Sequence, residues 1–295
     1  RKVGAVLLRA VMSRPELTAP PEIFYDDAEA RKYTSNSRMI EIQERLTQRA
    51  LELLALPGDG CPKLLLDLGC GSGLSGERLS EEGHVWVGVD ISPSMLEVAV
   101  ERETDGDLLL GNIGQGLGVR TGQFDGAISI SAVQWLCNAE TTGEDPRKRL
   151  KLFFTSLYRS LARGARAVLQ IYPDGTEQAE MISTAALRAG FTGGLVVDYP
   201  NSTRAKKFFL VLMVGQSAGA LPRGRTGEEG DEGGEGGLRV DDRRRKRHKG
   251  PKGKPGLATK GSKDWIVKKK DQQRNKGVEV AHDSKYTGRK RARPF

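Results

Sequence analysis

Leu64-Leu65-Leu66-Asp67-Leu68-Gly69-Cys70-Gly71-Ser72-Gly73 sets the architecture of this chain. An apolar run ending in a carboxylate, then glycines at alternate positions, reads as a strand entering a sharp turn, with a helix from Leu74 behind it. Glycine is required where the backbone turns tightly and lets a ligand approach, and the following helix offers unpaired N–H groups. Asp90 stands seventeen residues after Gly73, at the end of the next apolar run, placed to accept hydrogen bonds from a ribose diol.

Two cofactors compete for such a turn. Gly71-Ser72-Gly73-Leu74-Ser75-Gly76 satisfies the G-x-G-x-x-G dinucleotide pattern, a weak signal by itself. A pyrophosphate loop uses the helix N-terminus to hold negative charge, and Asp67 directly before Gly69 and Gly71 would oppose it. S-adenosylmethionine carries an ammonium and a sulfonium and no phosphate, so the D-x-G-x-G-x-G spacing favours it. At the third strand exit, Asn112 can read an adenine amino group beside the apolar wall of Ile113, or serve as a plain turn residue. Ile91 and Ser129, at the second and fourth strand exits, complete the cofactor-side candidates. The fourth exit, Ile128 to Trp135, has no Asp-Pro-Pro-Tyr type motif and no obvious general base. Trp135 either stacks on a base or packs in the core.

Outward from this turn, strands and helices alternate. Strands are expected at Leu64–Leu66, Val85–Val89, Asp107–Leu110, Phe124–Ile130, Ala167–Ile171, Leu195–Val197 and Lys207–Val214. A helix capped by Ser35 or Ser37 carries Met39, Ile42, Leu46, Ala50 and Leu53 at helical spacing up to Pro57. Others are expected at Pro93–Arg102, at Leu150–Leu161 with Arg163-Gly164 as its C-terminal signal, and at Glu177–Ala189. The pattern predicts an α/β Rossmann-like sheet, mostly parallel, with helices on both faces. It divides the chain into an N-terminal extension (1–34), this domain (35–214), a Gly-rich acidic linker (215–242) and a basic tail (243–295). Met12 is expected to be the start, with residues 1–11 an upstream artefact; the alternative is the remnant of a targeting peptide.

Composition narrows the function. The longest apolar runs fall far short of the ~18 residues a membrane helix needs, so no membrane partner is expected. Three cysteines make no disulfide framework, and three histidines, two of them in the tail, disfavour a zinc hydrolase; no metal site is expected. Residues 243–295 carry 20 Lys and Arg against 4 Asp and Glu, a net of +16, which leaves −7 for residues 1–242 of a chain with formal charge +9. The tail's clusters, Arg243–Lys249, Lys268–Lys270 and Arg289–Arg293, read as RNA-binding or nuclear-localisation segments, with Trp265 and Tyr286 placed to stack on bases. The alternative is a solvated import signal.

The chain resembles the eukaryotic 18S rRNA (guanine-N7)-methyltransferase family in Leu65–Gly76 (LLDLGCGSGLSG), Val87–Leu96 (VGVDISPSML), Glu103–Gly116, Phe124–Ala139 (FDGAISISAVQWLCNA), Val196–Ser202 (VVDYPNS) and Tyr286–Arg291 (YTGRKR). The likeness runs from about Arg14 to Phe295, with a break in the linker. It implies a seven-stranded class I methyltransferase fold, S-adenosylmethionine as donor, and a guanine of 18S rRNA in a pre-40S particle as acceptor. It also implies action in the nucleus or nucleolus and a small zinc-binding activator subunit as heterodimer partner. Asn112 stands where the family usually has Asp, which implies weakened cofactor affinity. Guanine N7 has an in-plane lone pair and needs no deprotonation, in keeping with the missing base. Gln134, Trp135 and Asn138 are the acceptor-side candidates and Tyr25 and Tyr33 form a flap over the cofactor, with core packing the competing reading of each. Two rivals remain: a methyltransferase acting on a protein or small molecule, and an assembly factor whose cofactor site is idle.

Overall fold

The computed structural model describes residues 14–139, 144–202, 205–215 and 221–226, with isolated positions 267, 270 and 274. In chain order the elements are α1 (Pro21–Phe24), α2 (Asp27–Ser35), α3 (Ser37–Leu54), β1 (Leu64–Leu68), α4 (Leu74–Glu81), β2 (Val85–Asp90), α5 (Pro93–Glu101), β3 (Asp107–Leu110), β4 (Phe124–Ile130), α6 (Pro146–Ser160), β5 (Leu161–Ile171), α7 (Thr176–Arg188), β6 (Thr192–Asp198) and β7 (Lys207–Met213).

The strands form one sheet in the order β3-β2-β1-β4-β5-β7-β6. Parallel pairing runs from β3 to β5, and β7 enters antiparallel between β5 and β6. Both faces are covered, which is why β1 is a continuous apolar run rather than an alternating one. Leu66 and Leu68 face a core built with Leu150, Phe153, Phe154 and Leu157 of α6 and Ile182 and Ala186 of α7. Leu65 faces the other core, with Leu46, Ala50, Leu53 and Leu54 of α3 and Trp86 of β2. The crossovers therefore leave to opposite sides on either side of β1, and a crevice opens at the carboxyl ends of β1 and β4.

Several boundaries differ from the sequence reading. The N-terminal extension contains α1 and α2: Pro20-Pro21 fixes the entry to the first, and Asp26 caps the second by accepting from Glu29 N–H at 2.9 Å. The cap of α3 is Asn36 rather than Ser35 or Ser37, its Oδ1 accepting from Arg38 and Met39 N–H at 3.1 and 3.3 Å. Arg163-Gly164 does not close α6, which ends at Ser160. The pair lies inside β5, where the pairing jumps from Leu161–Phe124 to Arg166–Gly126 and Gly164 takes φ +83°.

Within the span read as linker, Leu221–Thr226 is held against the domain. Leu221 packs on the second core, Arg225 N–H donates to Asp198 Oδ1 at 2.8 Å, and the Arg225 guanidinium meets Glu52 at 2.7 Å. An apolar anchor and an ion pair thus interrupt an otherwise Gly-rich stretch. Residues 1–11, most of the linker, Trp265, Tyr286 and, single positions apart, the basic clusters lie outside the described residues.

Candidate cofactor and acceptor site

Loops leaving β1, β2, β3 and β4 converge on one cavity, roofed by Tyr25 and Tyr33 and bordered by Met95 and Arg149. The turn after β1 supplies its floor. Gly69 and Gly71 take φ +77° and +53°, and a Cβ on Gly69 would sit 2.2 Å from the Ala132 side chain, so neither backbone nor space admits a larger residue there. Gly73 caps α4 in the left-handed conformation and stands behind the lining, next to Thr104.

Asp67 is fully buried. Ser75 Oγ donates to its Oδ2 at 2.5 Å, while Oδ1 has no hydrogen-bond partner among the described residues. Burial pushes its pKa up to about 7, against the pull of the Ser75 bond. Asp67 stands behind the cavity lining, whose floor is Gly69 to Ser72; an orphaned carboxylate oxygen there is a costly arrangement that a cationic group reaching past the glycine turn would relieve. Asp90 accepts from Gly71 N–H at 2.8 Å on Oδ2 and from Ser92 N–H at 2.9 Å on Oδ1. Burial raises its pKa while the backbone N–H groups of Ser92, Gly71 and Ile91 lower it, and the carboxylate keeps acceptor capacity for a ribose hydroxyl. Ile91, Asn112 and Ile113 line the next stretch of wall. Asn112 Oδ1 accepts from Gly114 N–H at 2.9 Å, capping the 3-10 turn Ile113–Gln115, so one of its lone pairs is engaged within its own loop.

The acceptor side is less uniform than the sequence suggested. Trp135 lines the cavity and joins an aromatic cluster, 6.0 Å from Tyr25 and 6.1 Å from Phe24, with Tyr25 and Tyr33 5.8 Å apart. Burial, with smaller contributions from Asp90, Glu16 and Glu29, pushes the Tyr25 phenol up to about 12. Burial raises that of Tyr33 too, whose hydroxyl accepts from Gln43 Nε2 at 2.6 Å. Gln134 lies behind the lining: its Nε2 donates to the Ser131 carbonyl at 2.7 Å and its Oε1 is buried without a hydrogen-bond partner. Asn138 turns to the N-terminal segment, donating to the Glu16 carbonyl at 2.8 Å. Ser129 is not brought to the cavity; fully buried, it donates to the Leu68 carbonyl at 2.6 Å and ties β4 to β1.

Among the lining residues not singled out in the sequence, Ser131 and Arg149 stand out. Ser131 adopts φ +59°, rare for a residue with a side chain, and is held there by N–H donation to Gln170 O at 3.0 Å and by its hydroxyl to Gln170 Oε1 at 2.5 Å. Its place at the β4 exit was a signal; its backbone was not legible. Arg149 reads as one more cation on a basic helix, yet it is buried and donates to the Asn138 carbonyl at 2.9 Å.

This sheet order, with the cavity at the carboxyl ends of β1 and β4, defines a class I methyltransferase. Residues 66–169 match the family described as a methyltransferase domain, and residues 212–293 match that described as a methyltransferase involved in Williams-Beuren syndrome. The chain belongs to the 18S rRNA (guanine-N7)-methyltransferase family. It is 57% identical to the enzyme of that name from Arabidopsis thaliana, over 96% of this chain and 99% of the relative. It is 56% identical to the Mus musculus enzyme, over 96% and 98%. It is 50% identical to the 18S rRNA (guanine(1575)-N(7))-methyltransferase of Saccharomyces cerevisiae, over 96% and 100%. Phosphoethanolamine N-methyltransferase 2 of Haemonchus contortus, solved with S-adenosyl-L-methionine, shares the fold with TM-score 0.50 and 17% identity, over 65% of this chain and 58% of that one.

Proposed function

We propose that this protein transfers a methyl group from S-adenosylmethionine to N7 of a guanine in 18S rRNA during small-subunit biogenesis. The observation that carries the reading is the buried, unpartnered Asp67 Oδ1 behind the glycine turn, in a chain belonging to this family over nearly its whole length. When bound, the cofactor supplies an electrophilic methyl on sulfur: the N7 lone pair forms the new C–N bond as the C–S pair returns to sulfur.

The chain's own residues bind, orient and exclude water. Asp67 holds the ammonium, Asp90 the ribose, and Ile91, Asn112 and Ile113 the adenine. Tyr25 and Tyr33 close over the cofactor, and their raised pKa values keep them neutral hydrogen-bonding phenols. Trp135 offers a stacking face to the purine. Gln134, through Ser131, and Asn138, through the Glu16 segment, act as positioning residues. No group on the β4 side is suited to take a proton, and N7 attack releases none; alignment and desolvation suffice.

The resemblance brings a small activator subunit as partner, and β3 offers a surface for it. It is an edge strand of the sheet, with Leu109 and Leu110 42% and 64% exposed. An open edge with apolar side chains accepts a partner's strand. Residence in the nucleus or nucleolus and work on pre-40S particles follow from the same reading, with the basic tail as address and RNA contact.

Mapping N7-methylguanine in 18S rRNA by base-specific cleavage tests the function. Null cells rescued with wild-type protein should regain the modification, and those rescued with Asp67→Ala should not. Methylation restored by both would remove the cofactor role of Asp67; methylation restored by neither, with both proteins present at normal levels, would point to the assembly-factor rival.

A further inference from the structure

Helix α6 carries five basic residues and no acidic one, in a body of net charge −7. Arg147 and Lys148 occupy its first turn, where the positive end of the helix dipole favours carboxylates. The Asp145 cap, accepting from Arg147 N–H at 2.9 Å, and Glu144, paired with Arg149 at 3.3 Å, offset them only in part, so helix stability does not account for the pattern.

Arg147, Lys148 and Lys151 line a groove together with Arg188 of α7. All four are exposed, and among the described residues none of them is in an ion pair. Glu177 and Glu180 also line the groove, which remains net cationic, and Thr155 and Thr184 add hydroxyl groups. The groove and the site share helix α6: Arg149, next to Lys148 in sequence, borders the cofactor cavity. Arg147 to Thr155 covers about 12 Å of helix axis.

We propose that the α6–α7 groove binds the phosphate backbone of the RNA strand flanking the target guanine, an RNA contact of the globular domain additional to the basic tail. The proposal rests on the rRNA substrate assigned above and locates where that substrate is held. Phosphate contacts of this kind fix register and orientation without reading sequence. They suit a site in which one stacking residue and shape must present a single base edge.

The test is equilibrium binding of the full chain to a short single-stranded oligoribonucleotide across a salt series. Lys148→Ala/Lys151→Ala should lower the slope of log affinity against log salt by about 1.4, two contacts at roughly 0.7 each, and weaken low-salt binding about tenfold. Glu177→Gln/Glu180→Gln should tighten binding in the same assay. S-adenosylmethionine affinity should be unchanged in both, which reports an intact fold. An unchanged slope for the lysine variant overturns the proposal, as does loss of pre-40S association with the slope intact, which would assign the groove to a protein. Failure of the wild-type protein to restore N7-methylguanine in null cells would overturn the rRNA reading while leaving the slope difference standing.

Discussion

Asp67 shows how a residue costly to the fold can serve the proposed cofactor site. Its carboxyl titrates near 7 rather than 3.8 because it is buried with one oxygen unpartnered. The folded state therefore binds the proton more tightly than the unfolded state does. Its contribution to stability is fully present below pH 3.8 and is lost as pH rises to about 7. Asp67→Asn should consequently raise the melting temperature at pH 8, relative to wild type, by more than it does at pH 4. The same substitution should weaken S-adenosylmethionine binding at least tenfold by calorimetry. Cofactor affinity has a pH profile of matching origin. The ammonium needs the carboxylate ionised, so Kd should rise up to about tenfold per unit as pH falls below 7, with uptake of the ligand releasing protons from Asp67. Above about 8 the ligand's own amino group loses its proton, so affinity should peak between. A flat profile from pH 5.5 to 7.5 would separate Asp67 from the ammonium. Asp67 and Asp90 were legible in the sequence because strand ends and glycines fix their positions. Ser131 was not, because nothing in its residue type announces a left-handed backbone imposed by Gln170 and Gln134.

At the scale of elements, the strands were legible and the roof was not. Strands β1, β4, β5 and β7 lie between two covered faces, and such apolar runs are visible in one dimension. Helix α1 is a single turn and α2 is short and mostly polar, and both owe their place to tertiary contacts: Ala30 of α2 is fully buried against Met95 and Val98 of α5. Ser92 Oγ donates to the Tyr25 carbonyl at 2.9 Å, and Thr34 Oγ1 donates to Ser72 at 2.8 Å. These bonds join the roof to two loops of the proposed cofactor site, so roof and floor form one unit. Ala30→Leu overfills that contact, at a cost of about 1–3 kcal/mol, and should lift α2 from α5. The expected result is at least a tenfold rise in cofactor Kd with native secondary structure preserved by circular dichroism; unchanged affinity would make the roof a bystander. Part of the resemblance also acquires a physical meaning here. Asp198, in the VVDYPNS segment, is buried and receives Arg49 of α3 at 2.9 Å and Arg225 N–H at 2.8 Å. A motif that marks the family in sequence acts as the clasp between α3, the end of β6 and Leu221–Thr226.

At the scale of the molecule, charge is divided along the chain. An acidic body suits a cationic cofactor and repels RNA, while residues 243–295, net +16, attract it. Composition made this division legible, although it averaged away a basic surface of the body, the α6–α7 groove. The two cationic elements differ in reach. On the proposed reading, tail contacts add affinity wherever phosphate is found, whereas groove contacts, on a helix that also borders the cavity, bear on how a guanine is presented. Deleting residues 243–295 should therefore weaken binding to any single-stranded RNA and flatten the salt slope by about 3, roughly four phosphates at 0.7 each. At saturating RNA, kcat should stay within about twofold of wild type while KM rises. Substitution in the groove should instead lower kcat/KM for the rRNA substrate, with little change in binding to unrelated RNA at high salt, where the phosphate contacts of both elements are weakened. A tail deletion that abolishes kcat at saturation would mean that the tail takes part in placing the guanine, and the division between holding and presenting would fail.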